Sequence, residues 1–138
     1  MPCTGLEVKA LAATKASLCL CPRSNLALTG ALAPIESLLK AGVNLALGTD
    51  SMASAPDISL WPEMTALALA APSLPPEQIL AMATTGGAKA LGLRAHFGRI
   101  APGMSCPLAF APLPELSRGE VLAAVVQGAL TGPPVRVD

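Results

Sequence analysis

Asp50 is the residue of this chain best placed to do chemistry. It lies in the stretch "NLALGTDSMAS", residues 44–54, where an apolar run gives way abruptly to Gly48, Thr49, Asp50 and Ser51. A carboxylate at such a point can accept a proton or bind a cation. It can equally order the turn that leads into the next helix, as Asx turns do, and the residues alone leave both readings open. "CPRSN", residues 21–25, follows an earlier apolar run in the same way, so Ser24 and Asn25 could face the same cavity as Asp50. Arg23 beside them suits either a substrate or solvent. Cys19 and Cys21 lie two apart and would share one side of a strand. Two such thiols can share a metal, but free cysteine usually packs as a small hydrophobe, and core packing is the expected role here.

The elements that must position these residues read as a repeated α/β unit. Residues 5–15 carry Leu6, Val8, Leu11 and Ala12 near helical spacing. Residues 16–21 read as a short buried strand ended by Pro22, and residues 23–33 as a loop with no sustained period. Pro34 suits the first position of a helix whose apolar face is Ile35, Leu38 and Leu39, with Gly42 as its stop. "VNLALG", residues 43–48, is apolar on both faces, the mark of a parallel strand covered on both sides. Residues 50–59 read as a loop and 60–71 as a helix, with Pro62 in its first turn and Pro72 after it. This alternation predicts parallel strands joined by right-handed crossovers. Ligands of such sheets bind beyond the carboxyl ends of the strands, where Asp50 and residues 21–25 fall.

The remainder is less regular. Residues 75–93 predict two short helices broken at Gly86 and Gly87, with Ile79, Leu80 and Ala83 inward in the first and Ala88, Ala90 and Leu91 in the second. From Phe97 the chain is rich in Gly and Pro, which suggests short alternating strands. Residues 115–129 suggest a helix starting near Ser117, with Val121, Leu122, Val125 and Val126 apolar. "PPVRVD" reads as a final strand.

Composition excludes several functions. Of 138 residues, 52% are hydrophobic, enough to build a core. Nine basic residues balance nine acidic ones, which gives no electrostatic footprint for nucleic acid or an anionic membrane. The aromatics are Trp61, Phe97 and Phe110, too few for a base-stacking platform; Trp61 reads as a core anchor. No apolar run reaches the roughly 18 residues of a membrane span. The first residues lack a basic segment followed by an apolar one, so no secretory signal is read and a cytoplasmic setting is expected. There is no G-x-G-x-x-G and no P-loop; "TTGGAKALG" follows a helix rather than a strand. The single histidine, His96, reads as a surface or packing residue and does not serve either cysteine as a base.

Three stretches in order carry a resemblance: "LCPRSNLALTG…API…LLKAGVNLALGTDSMASAPDISLWPEM", then "ILAMATTGGAKALGL", then "FGRIAPGMSCPLAFAPL". Together they resemble the amidohydrolase superfamily, in its branch of metal-dependent deaminases and chlorohydrolases acting on nucleoside-like or purine-like rings. The resemblance implies an α/β fold, the last two to three βα units of a (β/α)8 metal-dependent hydrolase barrel plus part of the appended small β-domain. The division implied is residues 1–95 in the barrel and 96–138 in the β-domain. Asp50 matches the family's carboxylate at the last barrel strand, which binds or approaches a catalytic Zn²⁺ or Fe²⁺ and takes a proton from the metal-bound water. Such a metal lowers the pKa of its water toward neutrality, and the resulting hydroxide attacks a ring carbon that bears an amino or halide group. Ser51 and the loop to Asp57 would line the substrate pocket, with Ser24 and Asn25 contributing from the neighbouring loop.

The chain also departs from the family's pattern. A His-x-His pair and further strand-end histidines are expected, and here Pro2 stands near one such position, while Cys106-Pro107 replaces Ala-Asp. One carboxylate is not a metal site, since catalytic zinc takes about three protein ligands. The expectation is therefore a C-terminal part of a hydrolase, inactive alone and holding no metal by itself. Its partners would be a small-molecule substrate and the missing N-terminal barrel half. Two strands cannot close a barrel, so exposed edges would favour self-association. The alternative reading is a stand-alone α/β interaction or assembly module without catalytic activity.

Overall fold

Two parallel strands form the centre of the molecule. β1 (Ser17–Leu20) pairs with β2 (Asn44–Leu47) in register, Ser17 opposite Asn44 and Leu20 opposite Leu47. The computed structural model describes residues 5–105 and 107–137. The expectations attached to Pro2, Cys3 and Cys106 lie outside the described residues. Before β1 comes α1 (Gly5–Thr14), and between the strands come α2 (Pro22–Thr29) and α3 (Ile35–Lys40). After β2 the chain forms α4 (Leu60–Ala70), α5 (Pro76–Ala81), a π turn (Met82–Gly86) and α6 (Gly87–Ala90). A second, antiparallel pair joins β3 (Leu108–Phe110) to β4 (Val135–Val137), with α7 (Val121–Gln127) between them in sequence.

The core gathers Leu20, Leu45 and Leu47 from the strands with Ile35, Leu38, Met64, Leu67, Ile79 and Met82 from the helices. Val126 of α7, only 1% exposed, joins the same cluster. Trp61 packs partly buried against it. Fully burying side chains of this size contributes about 1.5–3 kcal/mol each, so these contacts dominate what holds the sheet against its helices. No described helix is long and apolar enough to cross a membrane.

Several expectations need correction. Residues 23–33 are not all loop: α2 starts at Pro22, whose fixed φ suits a first helical position. Its end is set by Gly30, at φ +67°, a left-handed conformation that glycine adopts freely. Gly86 and Gly87 do not break the helix; both are helical, at φ −64° and −61°. Thr84 and Thr85 donate their hydroxyls to the carbonyls of Leu80 and Ala81 (2.7 and 3.3 Å), where the ladder widens into the π turn. Gly86 is needed for space, since a Cβ there would collide with the carbonyl oxygen of Leu45. Leu6, Ala90 and Leu91 point outward, unlike their expected inward positions. The α-helix expected from near Ser117 begins at Val121; ahead of it is a turn in which Glu120 accepts from the Ser117 hydroxyl and backbone N–H. The region after Phe97 holds a single short strand, β3, before α7. β1 is buried at Leu20 but exposed at Ser17 and Cys19, so only one of its faces is covered.

Candidate functional site

The two βα connections meet at the carboxyl ends of β1 and β2. The ladder runs one residue past β2, where Gly48 N–H donates to the Leu20 carbonyl at 2.9 Å. Two residues later Asp50 stands exposed. Its Oδ2 accepts from Ser24 Oγ at 2.8 Å, and its Oδ1 accepts from the Ser51 N–H at 2.8 Å. Ser24 is the third residue of α2 and is only 1% exposed. Its hydroxyl is therefore held in place and directed at the carboxylate. The Ser24 bond, and then the Ser51 N–H, hold the Asp50 carboxyl below the usual carboxylate range. Asp50 is thus a fixed, ionised acceptor with room around it.

Both sequence readings of Asp50 have a physical counterpart. The Ser51 N–H bond is a local turn interaction, whereas the Ser24 bond spans 26 residues and links two separate βα loops. Turn formation alone does not call for the second. Asn25 lies beside Ser24, and its Oδ1 accepts from the Cys21 N–H at 3.3 Å, tying down the start of α2. Ser51 is exposed next to Asp50.

Arg23 is neither solvated nor free for a substrate. Its Nε donates to Glu63 Oε1 at 2.8 Å and its backbone N–H donates to Glu63 Oε2 at 2.9 Å. Its Nη2 reaches Asp57 Oδ1 at 2.9 Å and the carbonyls of Asp57 and Ser59 at 3.1 and 3.3 Å. Glu63 is fully buried, at 0% exposure. Asp57 also accepts from the Ser59 N–H, and Arg23 first, then that N–H, hold its carboxyl below the usual range. The cluster fastens the β1–α2 corner to the far end of the Asp50 loop and to the first turn of α4. The sequence reading did not include Glu63. A signal was present: Glu63 lies four residues before the buried Leu67 on the inward stripe of α4, and a charge on that stripe calls for a partner.

The cysteines correct another expectation. Cys19 is exposed and Cys21 half-buried, both unbridged, so core packing describes neither fully. Both lie over Gly48, where an added Cβ would stand 2.5 Å from Cys19 Sγ and 3.8 Å from Cys21 Sγ. Burial first, then Cys19 and the acids Asp50 and Glu63, push the Cys21 thiol up to about 11. His96 is exposed, its ring edge-on to Phe97 at 6.5 Å between centroids.

A cavity of about 460 Å³ lies at the other end of β2, lined by Val43, Asn44 and Gly86 with Lys89, Arg94 and Arg99. It is separate from Asp50. Among the described residues no three His, Cys, Asp or Glu side chains gather to hold a metal ion. The residues around Asp50 therefore supply one carboxylate donor and do not amount to a catalytic metal site by themselves.

Residues 1–129 match the sequence model described as the Amidohydrolase family. A 5-methylthioadenosine/S-adenosylhomocysteine deaminase of Moorella thermoacetica is 38% identical over 109 residues, 74% of this chain and 26% of that protein. A zinc-bound adenosine deaminase from Xanthomonas campestris superposes with a TM-score of 0.78 at 32% identity, over 93% of this chain and 32% of that one. A mutant atrazine chlorohydrolase from Arthrobacter aurescens TC1, complexed with zinc and atraton, superposes with a TM-score of 0.79 at 26% identity. That match covers 89% of this chain and 30% of the other. The chain spans about a quarter to a third of the length of these relatives.

Proposed function

Since this chain belongs to the amidohydrolase family, we propose that it is the C-terminal part of a metal-dependent hydrolase that removes an amino group from a nucleoside-like or purine-like ring with water. Its two βα units are a portion of the barrel seen in its structural relatives. We further assign residues 1–95 to that barrel and 96–138 to part of a small β-domain. The observation that supports the reading is the Ser24–Asp50 hydrogen bond across the carboxyl ends of two parallel strands, where α/β barrels do their chemistry.

In the whole protein Asp50 is the proton acceptor and donor. It is ionised at neutral pH, so it can take a proton from an attacking water and pass it to the leaving nitrogen. A divalent metal, zinc or iron, would acidify that water when bound; its other ligands would come from barrel strands outside this chain. Ser24 orients the carboxylate, and with Asn25 and Ser51 forms this chain's share of the substrate pocket. The Arg23–Glu63–Asp57 cluster keeps the loop's far end fixed. The names of the relatives suggest 5′-methylthioadenosine or S-adenosylhomocysteine as substrates to try first. Family membership favours this reading over a stand-alone interaction module.

The test is deamination of adenosine derivatives by the intact protein that carries this sequence together with the earlier barrel strands. Asp50→Asn there should lower kcat by roughly 10²–10⁴-fold, the usual worth of a general base. The 138-residue chain alone should show no turnover. Near-normal kcat in Asp50→Asn would overturn the assignment of Asp50, and turnover by the isolated chain would overturn its description as a part.

A further inference from the structure

We infer that Cys19 and Cys21 form a two-coordinate thiolate site for a soft d10 cation of the Cu(I) class, on the open face of β1. The inference does not depend on the role given to Asp50. Its basis is the convergence of two sulfurs over one glycine. β1 and β2 are in parallel register, with Cys19 opposite Ala46, so the next position on that face beyond Ala46 is Gly48. Gly48 presents no side chain, and the two thiols occupy the space above it, at 2.5 and 3.8 Å from where a Cβ would stand.

Three considerations select the ligand. Residues two apart in an extended chain have Cα atoms about 6.6–6.8 Å apart, the outer limit for a disulfide. A metal atom between the sulfurs relieves that constraint, and both cysteines are unbridged. Zinc would require about four ligands, and no third metal-binding side chain gathers with any such pair among the described residues. Two thiolates without further donors suit a soft cation instead. Finally, the site is accessible: Cys19 is exposed, and Cys21 is half-buried at the start of α2.

The step balances without redox change. One Cu(I) ion forms two Cu–S bonds, each thiol releases one proton to solvent, and the complex carries one negative charge. The acids Asp50 and Glu63 act on Cys21 and disfavour a lone thiolate there, so the cation is what makes joint ionisation of the two sulfurs favourable.

The experiment is an anaerobic Cu(I) titration of the 138-residue chain against a chromophoric Cu(I) chelator. Cys3→Ser and Cys106→Ser are present throughout, so that only this pair is read. One equivalent should be retained per chain, and it should be lost in Cys19→Ser, in Cys21→Ser and in Cys19→Ala. The last alters only an exposed position and keeps the test valid if Cys21→Ser unfolds by circular dichroism. No retention in the parent chain would overturn the inference. So would one equivalent surviving in Cys19→Ala, or a stoichiometry of one ion per two chains.

Discussion

Replacing Glu63 with alanine is the most severe single test of how this site is held. The change removes both carboxylate oxygens from Arg23, leaving its Nε and its backbone N–H without their partners. The Arg23 side chain is only 15% exposed and that of Glu63 0%, so solvent cannot substitute readily. Breaking a buried pair by deleting one partner costs about 3–5 kcal/mol. In a chain of this size each kcal/mol lowers Tm by roughly 3–4 °C, between the values for smaller and larger domains. Glu63→Ala should therefore melt roughly 10–20 °C lower by circular dichroism. The double variant Arg23→Met/Glu63→Leu removes both charges and keeps volume, so it should recover most of that loss. A Tm for Glu63→Ala within about 2 °C of the parent would refute the reasoning, because it would mean the pair is hydrated. A double variant no better than the single one would also refute it, since the damage would then not come from a stranded charge.

Three further outcomes are expected. Ser24→Ala should raise the Asp50 carboxyl toward the ordinary aspartate value of about 3.9, read by carboxyl carbon NMR; an unmoved titration would dissociate the two residues. Asp50, Asp57 and Glu120 are all held below their ordinary values. The stability they contribute is present above the unfolded-state values of about 4 and is lost as pH falls through the folded ones; a denaturant series across that window should show the decline, and a flat profile would contradict it. Gly86→Ala should destabilise by about 1–3 kcal/mol through its clash with Leu45, while Gly87→Ala, whose nearest contact is 3.8 Å from the new carbon, should stabilise by about 0.4–1 kcal/mol. Equal shifts for the two would discard the steric explanation. Sedimentation of the chain should show concentration-dependent association, given the exposed Leu6, Ile58 and Ile100 at 79%, 77% and 82%; a strict monomer would count against it.

The parts of the fold legible in the sequence were those written locally. β2 and α4 are visible because an apolar run and a helical apolar stripe are bounded by Gly, Ser and Pro at the positions where they act as stops and starts. α2 was hidden because "RSNLALTG" has no sustained apolar period; its helix is set by Pro22 and Gly30 rather than by a stripe. Asp50 was legible from its place at the end of a strand. Its partner Ser24 could be suggested from the matching position on the other strand. The Arg23–Glu63 pair, 40 residues apart, was not legible, because nothing local fixes which cation meets a buried acid. The exposure of Cys19 was equally beyond local reading: an apolar run shows that a strand is present, not which of its faces is covered.

The π turn has a consequence for chain length. A π turn takes in one residue more per hydrogen-bonded turn than an α-helix does, and each residue of an α-helix turns it by about 100°. Deleting one residue between Met82 and Gly86 would let the segment close as an ordinary helix while rotating everything after it by about that angle. Ala88, now 7% exposed and inward, would swing aside, and Lys89 or Gly87 would come round toward the sheet. Gly98, which packs against Ala88 and Thr85, would lose its seat. The turn thus acts as a phase marker: its extra residue sets the angle at which the chain leaves the sheet, so a one-residue change of length there is a change of direction.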